Sequence, residues 1–289
     1  MHPSIRNQQP PIGNLQSSLQ FSQGSLQDYV GCKRCFQLRY LLKLAWPALE
    51  AEPVLEYEAA MQQGALFHRL IQQNLLGIPV ERLSPLAKGP DLSRWWQNYL
   101  EFGYPPRVAL YPEITLSMPI LNCRLVAKYD GILVTPEGQA IIYDWKTSRR
   151  RPKRSWLVDR LQSRVYPYLL AQAGAHLNQG KPFLPEQIDM IYWFAESPGE
   201  PEKLPYNAEA FARDEAYLKS LIDEITHLDS QAFTMTQAVD RCRFCTYRSL
   251  CDRGVTAGTL DEIEAEPEPV AEPWAEADFD FDQIAEIAF

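Results

Sequence analysis

Between residues 125 and 147 the chain reads LVAKYDGILV, then TPEG, then QAIIYDWKT. Both arms are apolar and rich in β-branched residues, a pattern that predicts two strands. Pro136 presets φ for a turn, and Gly138 suits the left-handed position that closes a three-residue hairpin loop. The turn places Thr135 opposite Gln139, so paired numbers sum to 274 and Asp130 lies across from Asp144. A helical spacing of Leu66, Phe67, Leu70, Ile71, Leu75 and Leu76 predicts a helix over 56–76 with a wide apolar face. Further helices are expected over 92–102, 155–177 (kinked at Pro167) and 209–228, and a short one near 25–29. Residues 108–120 read as a strand that Pro112 and Pro119 confine to an edge, and 187–195 as another strand. The pattern points to an α/β fold, a central mixed sheet flanked by helices.

Composition changes the picture at the ends. Residues 1–21 are rich in Gln, Ser, Asn and Pro and read as a disordered tail, leaving one domain over 22–256. The formal net charge of −9 argues against an acidic partner. However, 261–289 hold 11 acidic and no basic side chains, and removing them leaves 26 acidic against 28 basic. A nearly neutral body is compatible with a local basic groove. The tail, 257–289, reads as disordered and acidic, with aromatics between acids near its end. It suits a partner-binding peptide, a plug imitating nucleic-acid charge, or a plain solubilising tail. There is no apolar run of membrane-spanning length and no signal-peptide core, so a cytoplasmic protein is expected. In that compartment six cysteines are thiols or metal ligands rather than disulfides.

Two carboxylates facing each other across a ladder repel, and a divalent cation between them converts repulsion into coordination. Lys146 lies two residues beyond Asp144, hence on the same face. The alternative is a pair of acids at frayed strand ends with Lys146 as a surface partner. His68 sits in the apolar helix, where a satisfied boundary histidine is the ordinary reading. Trp95 and Trp96 read as packing residues. Residues 146–154 carry six cations, namely Lys146, Arg149, Arg150, Arg151, Lys153 and Arg154. Such a run is a solvated loop or, beside a lysine that serves chemistry, a phosphate contact. Gln162 and Tyr166 are four apart and share a helical face. Cys242, Cys245 and Cys251 follow the spacing C-x2-C-x5-C, with Cys32 and Cys35 far upstream and Cys123 read as a buried thiol. Four thiolates suit zinc or an iron–sulfur cluster.

Asp130 with Asp144-Trp145-Lys146 resembles the signature of the PD-(D/E)XK nucleases, and the wider pattern resembles their RecB-type branch, shared with CRISPR-associated exonucleases. The resemblance covers roughly 22–252. It implies a restriction-endonuclease-like core with a cysteine-cluster cap. It implies Mg²⁺ or Mn²⁺ held by Asp130, Asp144, His68 and the Trp145 carbonyl, with Lys146 catalytic and Glu113 near the active site. It also implies a [4Fe–4S] cluster on Cys32, Cys242, Cys245 and Cys251, with structural Zn²⁺ as the alternative. Gln162 and Tyr166 fall where the family has a Gln-x-x-x-Tyr motif that helps hold the DNA strand. Lys33 stands where a proline usually follows the first cysteine, and Ala127 where glycine is common. The expected function is metal-dependent DNA cleavage, as an exonuclease in repair, recombination or defence. The alternative is a catalytically silent DNA-binding or scaffold subunit of a helicase–nuclease complex. A helicase or other repair or defence protein is the expected partner of the tail. The chain has no phosphate-binding loop of its own.

Overall fold

The structure, a computed structural model, describes residues 19–44, 52–103, 110–148, 150–254, 256 and 258, with the side chains of 52–58 left aside. Arg149, the N-terminal tail before 19 and the acidic tail lie outside the described residues. Order begins earlier than expected: β1 (Gln20–Phe21) belongs to the sheet, so these two residues are not part of a disordered tail.

The chain then runs through α1 (Gln23–Gly31), α2 (Lys33–Phe36) and a π-helical turn (Gln37–Leu41). Helix α1 starts at a reciprocal cap, in which Ser22 and Ser25 each accept the other's backbone amide. There follow α3 (Glu52–Leu75), α4 (Val80–Leu83) and α5 (Pro90–Phe102). Next come three antiparallel strands, β2 (Leu110–Ile120), β3 (Cys123–Val134) and β4 (Ala140–Lys146). The helix expected over 155–177 is broken in two, α6 (Arg154–Asp159) and α7 (Leu161–Ala173), because Arg160 is extended between them. Strands β5 (Ile188–Phe194) and β6 (Glu202–Pro205) precede α8 (Ala208–His227), whose cap is the Asn207 side chain.

Among the described residues six strands form one mixed sheet in the order β1-β3-β4-β5-β6, with β2 on the other side of β3. β4 and β5 run parallel, and α6 and α7 make the crossover between them. One core layer packs α1, α7 and α8 against the sheet, and a second packs α3, α4 and α5 against it. Trp95 and Trp96 are buried in the second layer, as expected of packing residues.

The hairpin register is the expected one. Val134 pairs with Ala140, Leu133 with Ile141, Ile132 with Ile142 and Gly131 with Tyr143. At the tip Gly138 adopts φ +83°, and the Thr135 amide donates to the Gln139 carbonyl at 2.9 Å. The ladder stops at Gly131–Tyr143, one pair short of Asp130–Asp144. On the same side of β3, its other end pairs with β1 through Arg124 and Leu125. Between these two contacts that edge of β3 carries no strand partner among the described residues.

Candidate active site

The gap has a structural cause in β3 and β2 together. Leu125, Ala127 and Tyr129 face the first core layer, but beyond the gap Ile132 and Val134 do so and Leu133 faces the second. The inward face therefore changes from odd to even numbers across Asp130–Gly131. In β2 the same reversal separates Leu110, in the second layer, from Leu116 and Ile120, in the first. Glu113 sits at that reversal with φ +53°, and the ladder skips Glu113 and Asp130 between the pairs Pro112–Gly131 and Ile114–Tyr129. A left-handed glutamate within a strand costs roughly 1–3 kcal/mol and is found where the surroundings enforce it. Gly131 is needed here as well. A Cβ there would lie 3.0 Å from the Trp145 ring.

The reversal gathers a ligand set. One donor atom each from His68, Glu113 and Asp130 lie within 4.8 Å of one another. His68 Nδ1 is 3.3 Å from Asp130 Oδ1, while Asp130 Oδ2 accepts the Trp145 amide at 2.9 Å. The backbone of Trp145 thus meets the aspartate through its amide. Burial pushes the Asp130 carboxyl up, but His68, the Trp145 amide and Lys146 outweigh it and hold it below the usual carboxylate range. Gly64 lets α3 bring His68 in, since a Cβ at that position would come 3.1 Å from Thr147 Oγ1. Glu113 also pairs with Lys128 at 2.5 Å, a residue the sequence reading passed over.

Asp144 stands beside this set and is not one of its three members. The β3–β4 ladder ends one pair before Asp130 and Asp144, and a donor atom of Asp130 lies with those of Glu113 and His68. Asp144 is 3 % exposed, and its Oδ1 accepts from Gln162 Nε2 at 2.6 Å. Lys146 Nζ lies 3.0 Å from Asp144 Oδ2 and 3.2 Å from Gln162 Oε1. Gln162 thus grips both members of the acid–lysine pair.

Gln162 and Tyr166 are both buried. Tyr166 donates to the Lys128 carbonyl at 2.7 Å, and Tyr129 donates to the Tyr166 carbonyl at 2.9 Å. Burial, with Asp144 and Asp130 adding to it, holds the Tyr166 phenol well above its ordinary pKa, so it stays a donor. Both side chains are thus hydrogen-bonded to strand residues, Gln162 to Asp144 of β4 and Tyr166 to Lys128 of β3. The basic run is also partly accounted for internally. Arg151 pairs with Glu200 and Glu202, and Arg154 pairs with Glu202. Arg150 and Lys153 are exposed.

A second cluster lies in the segments that precede β2 and follow α8. Cys32, Cys35, Cys242, Cys245 and Cys251 line one pocket with Met235, Tyr247, Arg248 and Arg253. Cys35 Sγ is 3.8 Å from Cys245 Sγ, so the extra thiol belongs to the pocket as fully as the four expected. Among the described residues no three sulfurs come within the 4.8 Å spacing of the acidic set. Tetrahedral zinc, with Zn–S of ~2.3 Å, would hold its thiolates about 3.8 Å apart. The thiols therefore share a pocket without closing on a point, and the geometry does not identify an iron–sulfur cluster. Cys123 is buried elsewhere, as expected.

The mixed sheet between two helical layers defines an α/β domain with a restriction-endonuclease-like core. Residues 20–252 match the PD-(D/E)XK nuclease superfamily, and the chain belongs to that family. Among solved structures it is similar to SSO0001, at 15% identity and TM-score 0.44, covering 81% of this chain and 85% of that one. It is also similar to a protein from Eubacterium rectale provisionally named an exonuclease, at 8% identity and TM-score 0.42, covering 78% and 87%. No curated protein matches the sequence. Among the described residues no helix is long and apolar enough to cross a membrane.

Proposed function

We propose that this protein is a deoxyribonuclease that uses Mg²⁺ or Mn²⁺ to hydrolyse phosphodiester bonds, working as an exonuclease on DNA in repair, recombination or defence. The observation that carries the reading is the convergence of His68, Glu113 and Asp130 next to the Asp144–Lys146 pair. Carboxylate oxygens with one imidazole suit a hard, oxygen-preferring divalent ion. His68, Glu113 and Asp130 would hold it, with Asp144 adjoining. When bound, such an ion polarises the scissile phosphate and lowers the pKa of a coordinated water. Lys146, aimed by Asp144 and Gln162, orients the attacking oxygen and offsets charge developing on the phosphate. Trp145, through its amide, fixes the Asp130 carboxylate. Arg150 and Lys153 contact the DNA backbone outside the site, with Arg149 in the same run.

The proposal extends to the thiol pocket, which we assign to an iron–sulfur cluster. Support comes from its donor chemistry, five thiols with four ligand places to fill, and from the sequence spacing. The reading is tested by digesting end-labelled and circular DNA with Mn²⁺. Asp144→Ala and Lys146→Ala should each lower cleavage by at least roughly a thousandfold while the melting temperature stays near wild type. Undiminished cleavage by both variants would reject it.

A further inference from the structure

Two adjacent residues of α1 serve two different places. Gln27 Oε1 accepts the backbone amide of Leu161 at 3.3 Å. Leu161 is the first residue of α7, and the residue before it, Arg160, supplies no side-chain cap. The first amides of a helix have no partner within it, so an acceptor from elsewhere fixes where the helix begins. The next residue of α7 is Gln162, which bonds Asp144 and Lys146. Asp28, by contrast, serves the thiol pocket. It is 3 % exposed, and its Oδ2 accepts from Arg39 at 2.7 Å and from the Tyr40 hydroxyl at 2.8 Å. Arg39 reaches on to Thr246 Oγ1, beside Cys245, at 3.4 Å. Helix α1 itself ends on Cys32, whose amide donates to the Asp28 carbonyl at 2.7 Å. Leu26 and Tyr29 anchor the same helix in the core, so it moves as a unit or not at all.

We infer that Gln27 is a positioning residue for the Asp144–Lys146 pair, and that α1 makes the placement of that pair depend on the thiol pocket. The inference rests on the nuclease reading for its functional consequence, but not for its structural one. Adjacency alone does not establish energetic coupling, so the test is a thermodynamic cycle. Amide hydrogen exchange over 161–164 is measured on the full chain without substrate, alongside Mn²⁺-dependent cleavage. Gln27→Ala should speed exchange of the Leu161 amide roughly fivefold, the loss of one cap. Gln27→Glu should restore it, because a carboxylate accepts the same bond and suits a helix N-terminus. Cleavage by Gln27→Ala should fall in kcat with KM little altered, and the substitution should have no further effect in a Gln162→Ala background. From the pocket side, Asp28→Asn should speed exchange over 161–164 in the wild-type chain and not in Gln27→Ala. Arg39→Lys serves the same purpose if Asp28→Asn does not fold. Unchanged exchange in Gln27→Ala, or losses that multiply independently in the double variant, overturns the role of Gln27. Exchange indifferent to the pocket variants overturns the coupling. A protein that cuts no DNA still tests Gln27 through exchange, and a cutting protein with unaltered exchange keeps its nuclease reading while losing this one.

Discussion

The two clusters are built in opposite ways. The acidic set sits on neighbouring strands and one helix, and hydrogen bonds from Trp145 and Gln162 already hold Asp130 and the adjoining Asp144. The thiol pocket draws Cys32 and Cys35 from before the sheet, and Cys242, Cys245 and Cys251 from after the last helix. It joins segments about 210 residues apart, where a cross-link removes much chain entropy. The difference teaches what each region is for. On the proposed function, side chains held by the surrounding sheet are expendable for folding and serve chemistry. On the same proposal, thiols that hold distant segments together through a cluster are decisive for folding.

The comparison breaks first at the thiols. Cys245→Ser should lower the melting temperature by several degrees more than any single substitution in the acidic set, and should abolish bound iron and the visible absorbance of anaerobically purified protein. Calorimetry and metal analysis decide it. Metal-free wild-type protein with an unaltered melting temperature would dissolve the distinction. A smaller effect sharpens the other side. Gly131→Ala should cost roughly 1–3 kcal/mol, since its Cβ meets the Trp145 ring and the core there is already filled. Chemical denaturation measures the loss, and Trp145 fluorescence should shift with it. A neutral Gly131→Ala would mean that the close approach does not matter.

Much of this was readable beforehand, and the failures have physical reasons. The hairpin register followed from Pro136, Gly138 and alternation, since turn geometry is local. The burial of Trp95 and Trp96 followed from periodicity. The end of the ladder did not, because it depends on Glu113 adopting φ +53°, which intrinsic preference disfavours and only the assembled sheet imposes. The break in alternation between Tyr129 and Ile132 was visible and could have signalled it. The basic run looked available to phosphate because Glu200 and Glu202, which pair with Arg151 and Arg154, arrive from the β5–β6 connection and the start of β6, some fifty residues later. Gln27 carries no motif. Its role exists only where α1 meets α7.

Calorimetric titration of Mn²⁺ into metal-free wild-type protein and Asp130→Ala, in the absence of DNA, addresses the acidic set most directly. Wild type should bind Mn²⁺, and Asp130→Ala should lose that binding while keeping its fold, because the aspartate meets both His68 and the Trp145 amide. Equal binding by the two proteins would contradict the account.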